Sequence, residues 1–243
     1  MTDVRETFGA DPRVTGRGKE AHKMNATAIK LVITLWHDDQ PENPNDCDGW
    51  KAYSFSPRHE NHANPCDIGF DEDDDGYNVP GADLQAKLEN GLAFLLSYYE
   101  HSQCQWSLSG EGPQCRWDSV NLAGILIWEH DEGDIGAVTR EDREKHARAF
   151  IERFTQWCNG EVYGYTMAAY SKCPHCGQDD ELDDKIVGFD LPSVGGYYAD
   201  DIDGMVIDMK DHIGSDWKNY EVEFKEQDAY GVADECKRLW KGE

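Results

Sequence analysis

Residues 28–36 have the sequence AIKLVITLW, which is apolar apart from Lys30 and Thr34 and is rich in β-branched side chains. A short apolar run of this kind between polar segments predicts a strand buried inside a sheet. The alternating sequence WKAYSF at residues 50–55 predicts a second strand. Similar patterns predict further strands at residues 106–108, 122–128, 162–170 and 186–189.

Four helices are predicted between and after these strands. Residues 83–100 repeat leucine at spacings of three and four, which favours one long amphipathic helix. Thr139 and Asp142 resemble a capping box at the start of a second helix, and the Asn159-Gly160 pair is typical of its end. The other two helices are predicted at residues 199–212 and 230–240.

The order of these elements predicts an α+β fold: a single domain, residues 28–243, with a mostly antiparallel sheet and two to four packed helices. Residues 1–27 lack apolar periodicity and predict a flexible tail. No apolar run reaches the length of a membrane span, and no secretory signal begins the sequence. We therefore expect an intracellular protein whose thiols are reduced, without a membrane partner.

Negative charge dominates the composition: 49 acidic residues face 23 basic ones, a net charge of −26. The first 30 residues contain six basic and four acidic side chains, which leaves −28 on the remainder. Such a field repels nucleic acid and membranes and attracts basic protein surfaces. Imitation of DNA and adaptation to solubility or high salt both explain it. The candidate binding residues are Asp71, Asp73, Asp74, Asp75, Glu129, Asp131, Glu132, Asp134, Asp179, Asp180, Asp183, Asp184, Asp200, Asp201 and Asp203.

The stretch KCPHCGQDDELDD at residues 172–184 contains a candidate metal site. Cys173 and Cys176, followed by Gly177, have the spacing of a zinc knuckle, so a structural zinc ion is the cofactor to consider. The missing ligands would come from Cys47, Cys66, His101, Cys104, Cys115 or Cys158. A redox motif is disfavoured because the adjacent acid opposes thiolate formation, and two ordinary thiols remain the alternative.

Asp71, Asp73, Asp75 and Gly76 match the first half of a calcium-binding loop. The twelfth position is Ala82 instead of the bidentate glutamate, which favours a solvated acidic loop. Phosphate-binding glycine loops, nucleophile elbows and the zinc-protease motif are absent from the sequence.

Four segments carry a resemblance to a known group of proteins: YSFSPRH (53–59), GLAFLLSYYEHS (91–102), GEGPQCRWDS (110–119) and NGEVYGY (159–165). With these segments the chain, from about residue 36 to residue 201, resembles a family of uncharacterised bacteriophage and prophage accessory proteins. The family's compact WGFYG segment has no close counterpart here. The resemblance implies phage origin and a non-structural accessory role, and it assigns no catalytic residue. With a phage origin, the expected location is the host cytoplasm.

Together the charge and the resemblance predict a protein that acts by binding. Its expected partner is a basic host protein, a nucleic-acid-binding defence component that is occluded by a DNA-like acidic face. Direct binding to nucleic acid is not expected. The alternative is a metal-dependent enzyme that acts on a nucleotide or a small signalling molecule through His101, Cys115 and Asp118.

Overall fold

The structure, a computed structural model, describes residues 29–47, 49–173 and 175–242. The predicted tail, residues 1–27, the first residue of the predicted opening strand, Ala28, and Pro174 of the cysteine motif lie outside the described residues. The predicted fold class is confirmed: helices and mostly antiparallel sheets form one α+β domain.

The described part of the chain contains eleven strands and five α-helices. The strands are β1 (Ile29–His37), β2 (Trp50–Ser54), β3 (Phe70–Glu72), β4 (Asn78–Pro80), β5 (Ala93–His101), β6 (Gln103–Leu108), β7 (Ser119–Trp128), β8 (Val162–Lys172), β9 (Asp179–Leu182), β10 (Ser193–Tyr198) and β11 (Glu221–Gln227). The helices are α1 (Ala82–Asn90), α2 (Arg140–Cys158), α3 (Asp184–Val187), α4 (Ile202–Ile213) and α5 (Val232–Lys241).

The first sheet has the order β10-β8-β1-β11, and β9 pairs with the distal part of β8. The pairing of β1 with β11 is parallel, and the other pairings in this sheet are antiparallel. Alternate side chains of β1, those of Leu31, Ile33 and Leu35, are fully buried in a core that α4 and α5 complete. The period of two along β1 therefore directs one face of the strand to this core.

The second sheet has the order β2-β7-β5-β6 and is covered on both faces. Phe94 and Leu96 of β5 belong to the core formed with α2, in which Phe154 is 1 % exposed. The intervening residue Leu95 packs in a smaller core on the opposite face, where Phe70 of the β3–β4 hairpin and α1 contribute. Because both faces of β5 are covered, its sequence is apolar at consecutive positions.

The helix predicted over residues 83–100 is wrong in its second half. The helix α1 ends at Asn90, because Gly91 has φ 72° and its amide bonds back to the Lys87 carbonyl. This left-handed glycine cap redirects the chain into β5. A strand that is buried on both faces carries apolar side chains at consecutive positions, and some of these positions are three or four residues apart by chance. The leucine spacing across Gly91 was therefore compatible with a continuous helix.

The strand predicted at residues 186–189 is also wrong. Residues Asp184–Val187 form the single-turn helix α3, whose first turn is capped by the Asp183 carboxylate, 3.0 Å from the amide nitrogen of Ile186. The strand that follows the cysteine motif and pairs with β8 is β9, which contains Asp179 and Asp180. The acidic sequence of β9 concealed this strand, while the predicted position of the cysteine motif at a hairpin tip is confirmed.

The other predicted elements are confirmed with shifted ends. Thr139 caps α2 as expected, since its hydroxyl accepts a hydrogen bond from the amide of Asp142 at 3.1 Å. The two C-terminal helices are α4 and α5. Across the described residues, no helix combines the length and the apolar character needed to cross a bilayer.

Candidate functional site

A cleft of about 590 Å³ opens where the last turn of α2 meets β5, β6 and the segment before and after β2. Tyr98, Trp106 and Trp157 provide aromatic walls. Glu60 and Glu100 add carboxylates at the same cleft. Aromatic surfaces together with carboxylates favour a ligand group that carries positive charge.

The imidazole of His59 separates this cleft from a neighbouring groove of about 420 Å³. Its ring centroid lies 4.7 Å from that of Tyr98 and 5.3 Å from that of Trp106. Its Nδ1 atom is 2.7 Å from the hydroxyl oxygen of Ser54, a fully buried residue. Burial lowers the pKa of His59 below its ordinary value, so the ring is neutral at neutral pH.

Tyr98 and Glu100 lie two residues apart on β5 and therefore on the same face. The Tyr98 hydroxyl donates a hydrogen bond to Glu100 Oε2 at 3.1 Å. Burial and this carboxylate raise the pKa of Tyr98, so the phenol remains protonated. Tyr98 can therefore serve as a fixed donor and an apolar wall, and it is not an acid–base group near neutral pH.

The end of α2 is attached to β6 by side chains that replace a neighbouring strand. The Asn159 amide accepts from the Cys104 amide nitrogen at 2.9 Å and donates to the Cys104 carbonyl oxygen at 3.0 Å. Thr155 Oγ1 accepts from the Trp106 amide nitrogen at 3.1 Å. These bonds pair the outer edge of β6, which fixes one wall of the cleft.

The three residues of the enzymatic alternative are brought together. Asp118 Oδ2 lies 3.6 Å from His101 Nδ1 and 3.3 Å from Cys115 Sγ. The His101 side chain is 73 % exposed, and Asp118 borders the smaller groove instead of a deep pocket. An exposed arrangement of this kind provides no enclosed environment for transition-state stabilisation.

Metal ligation was expected at Cys173 and Cys176, which lie together at the β8–β9 tip. Within residues 29–47, 49–173 and 175–242, no cluster of three or more His, Cys, Asp or Glu side chains is arranged to hold a metal ion. The two thiols supply half of a tetrahedral set, and the other half is not present among these residues. Structural zinc remains a prediction, which metal analysis of the purified protein and of its Cys176→Ser variant would test.

The candidate acidic residues are all exposed, but they lie on four different parts of the fold. Asp71, Asp73, Asp74 and Asp75 belong to the β3–β4 hairpin on the second sheet. Glu129, Asp131, Glu132 and Asp134 follow β7. Asp179, Asp180, Asp183 and Asp184 lie on β9 and at α3, and Asp200, Asp201 and Asp203 lie at the start of α4.

Several of these carboxylates have partners within the chain. Lys51 Nζ lies 3.1 Å from Glu129 Oε2, and the Tyr53 hydroxyl also donates to Glu129. Burial opposes ionisation of Glu129, but these two donors hold its pKa below the ordinary range. Glu132 pairs with Arg143 at 2.5 Å. The acids after β7 thus include structural groups, whereas those of the hairpin have no ion pair among the described residues.

The predicted calcium-type loop has a different role. Asp73 Oδ1 accepts hydrogen bonds from the amides of Asp75 at 3.0 Å and Tyr77 at 2.8 Å, so its carboxylate closes the hairpin turn. The chain continues into β4 and α1, and the sequence position of a bidentate glutamate is occupied by Ala82. These contacts agree with an acidic loop and not with a calcium-binding helix–loop–helix unit.

Comparison of the chain with protein-family models, with curated proteins and with solved structures finds no match. The resemblance to phage accessory proteins therefore stays a prediction. Three of the four segments that carry it contribute to the cleft: Tyr53 and His59 belong to the first, Tyr98, Glu100 and Ser102 to the second, and Asn159 to the last. The sequence analysis did not single out Tyr98, Glu100 and Trp106. The i, i+2 spacing of Tyr98 and Glu100 would have indicated a shared face if β5 had been assigned as a strand.

Proposed function

We propose that the protein is a phage-encoded accessory protein that acts by binding a basic surface of a host nucleic-acid-binding defence protein. The observation that carries this proposal is the β3–β4 hairpin. Nine consecutive residues, 71–79, are exposed, and they include five carboxylates and no cation. Tyr77, at the turn, is 70 % exposed. An exposed aromatic side chain beside unpaired carboxylates is a suitable contact for a basic partner.

The distribution of cations supports the same role. Many lysine and arginine side chains are used in ion pairs within the chain, as in Lys30–Glu223 at 2.7 Å, Lys172–Asp179 at 2.6 Å and Arg148–Glu111 at 2.6 Å. Each of these ion pairs joins one cation to one carboxylate, so the excess of carboxylates over cations remains without a partner of opposite charge. The resulting field accelerates encounter with a positively charged surface.

The cleft provides a second contact for such a partner. Its aromatic walls, Tyr98 and Trp106, and its carboxylates, Glu60 and Glu100, fit the charged end of a lysine or arginine side chain. Lys51, the cation at the cleft, is already paired with Glu129. In this proposal the hairpin sets the long-range attraction, and the cleft receives one basic side chain.

The proposal is tested with a hairpin variant that combines Glu72→Gln, Asp74→Asn and Asp75→Asn. Asp73 is retained because its carboxylate holds the turn. A matched control neutralises three exposed acids elsewhere, Glu42→Gln, Glu141→Gln and Glu152→Gln, which removes the same charge.

Proteins retained from a host lysate at low salt are purified and their affinities measured one at a time. We expect the hairpin variant to bind a basic partner about tenfold more weakly, since each exposed ion pair contributes ~0.2–1 kcal/mol and 1.4 kcal/mol corresponds to tenfold. The control should bind nearly as wild type. Equal weakening in both variants, or binding that is insensitive to salt, contradicts the proposal.

Imitation of DNA is the more specific form of the proposal, and it has its own test. The partner's duplex DNA should compete with the protein for one site, and the affinity should fall steeply between about 50 and 200 mM salt, as DNA binding does. A ternary complex of partner, DNA and this protein would refute imitation while leaving electrostatic binding intact.

A further inference from the structure

Two cysteines meet at the wall of the cleft. Cys104 lies on β6, and Cys158 is the last residue of α2; both line the cleft. Their side chains interact with each other, although 53 residues separate them in the sequence. The two side chains meet because the end of α2 packs against the edge of β6.

The backbone around both residues is held firmly. Asn159, next to Cys158, makes both backbone hydrogen bonds of Cys104, at 2.9 and 3.0 Å. One turn earlier in α2, Thr155 bonds to the Trp106 amide. A disulfide requires two Cα atoms within a narrow range of separation, and this attachment keeps residues 104 and 158 as close neighbours.

The surroundings of the pair distinguish its two sulfurs. The interaction between the two side chains lowers the pKa of Cys104 and raises the pKa of Cys158. Cys104 is therefore the sulfur that ionises first, and thiolates are the attacking species in disulfide exchange.

Four of the other six cysteines differ clearly from this pair. Cys236 is buried, and burial raises its pKa to about 12. Cys66 lies in a short 3-10 helix, Pro65–Ile68, in the connection between β2 and β3 and outside the cleft. Cys173 and Cys176 form the other thiol pair, at the exposed hairpin tip beside acidic β9, and belong to the candidate zinc motif.

We propose that Cys104 and Cys158 form a redox-active dithiol that exchanges with low-molecular-weight disulfides and closes to a disulfide between β6 and α2. The inference does not depend on the proposed binding function, because it concerns the protein alone. Oxidation fixes the cleft wall covalently, and reduction restores two free thiols.

The exchange is balanced in two steps. The Cys104 thiolate attacks a disulfide RSSR, forms the mixed disulfide Cys104–S–SR and releases RS⁻, which takes up the proton that Cys104 had lost. The Cys158 sulfur then attacks the Cys104 sulfur and displaces the second RS⁻, which takes up the Cys158 proton. Two protein thiols lose two electrons and two protons, and RSSR becomes two RSH.

The test uses the full, metal-free, reduced chain in buffers of varied ratios of oxidised to reduced glutathione. After acid quenching, free thiols are alkylated and the peptides are mapped by mass spectrometry. We expect a link between Cys104 and Cys158 that forms before any link to Cys66 and is reversed by reduced glutathione. The link should also form in the Cys173→Ser/Cys176→Ser variant, which removes the other thiol pair.

Single variants identify the two roles. Cys158→Ser should accumulate the mixed disulfide of glutathione on Cys104, and Cys104→Ser should abolish the link. Oxidation should raise the urea midpoint of the wild type and leave that of both single variants unchanged. If Cys66 is glutathionylated in folded protein while residues 104 and 158 remain unlinked, or if they link only in urea, the proposal is overturned.

Discussion

The attachment of α2 to the edge of β6 gives a prediction whose magnitude follows from the structure. Replacing Asn159 by alanine removes the amide that bonds both backbone groups of Cys104, at 2.9 and 3.0 Å. The backbone of Asn159 lies in the right-handed region, φ −84° and ψ −4°, which alanine adopts without strain. The substitution therefore tests the two side-chain hydrogen bonds and leaves the helix end intact.

Each hydrogen bond contributes about 0.5–1.5 kcal/mol net, and a partly buried group left unpaired adds to the loss. Asn159→Ala should therefore lower the free energy of unfolding by about 2 kcal/mol. For a chain of this size about 1 kcal/mol shifts the melting temperature by roughly 2–4 °C, so we expect a fall of about 4–8 °C.

Urea unfolding followed by tryptophan fluorescence measures the change, with an unaltered m value as the criterion that the same transition is observed. Gln103→Ala is the matched control: it removes an exposed amide from the same strand, 2.9 Å from Glu161, and should cost under about 0.5 kcal/mol. If both variants shift stability equally, the assignment of Asn159 as the partner that closes the edge of β6 is refuted.

Three further predictions concern the second sheet. Gly124→Ala should cost about 3 kcal/mol in urea unfolding, since a Cβ atom there would lie 2.1 Å from the Tyr53 carbonyl oxygen, and a normal stability would contradict the β2–β7 register. Because the pKa of His59 is lowered in the folded protein, the unfolded state binds more protons at acidic pH. The free energy of unfolding should therefore rise with pH up to about 6.5, the ordinary histidine value, and level off above it. His59→Gln should flatten this profile when unfolding is measured from about pH 5 to 8. Arg143→Ala removes a buried guanidinium bonded to two backbone carbonyls and should lower the free energy of unfolding by about 3 kcal/mol. Glu132→Gln changes the ion-pair partner of Arg143, which is 62 % exposed, and should lower it by under about 1 kcal/mol. Equal shifts of the melting temperature in the two variants would show that the ion pair outweighs the carbonyl contacts.

The elements that were predicted correctly have a strong local signal. Strand β1 follows from its β-branched apolar run, and α2 follows from its apolar period, its threonine cap and its Asn159-Gly160 end. Strand β11, with the sequence EVEFKEQ, was not predicted, because its alternation is carried by few apolar side chains. This strand depends on its parallel pairing with β1, a contact distant in sequence.

The two wrong assignments have a common cause. The leucine spacing across Gly91 was compatible with a helix, and only the left-handed glycine and the cover on both faces of β5 decide for a strand. Likewise, β9 is acidic in sequence but is paired with β8, where Lys172 lies 2.6 Å from Asp179. In both cases tertiary contacts override local propensity.

For the candidate site, the sequence by itself determined the chemistry present: the acidic excess, the cysteine motif at a hairpin tip and the residue types His, Cys and Asp in the middle of the chain. Only the tertiary structure decided which of these groups meet. Cys104 reaches Cys158, and His59 packs against both Tyr98 and Trp106, because α2 and the second sheet share one core. Local patterns encode the period of a helix or strand, whereas the meeting of residues far apart in the sequence depends on how whole elements bury their apolar faces against each other.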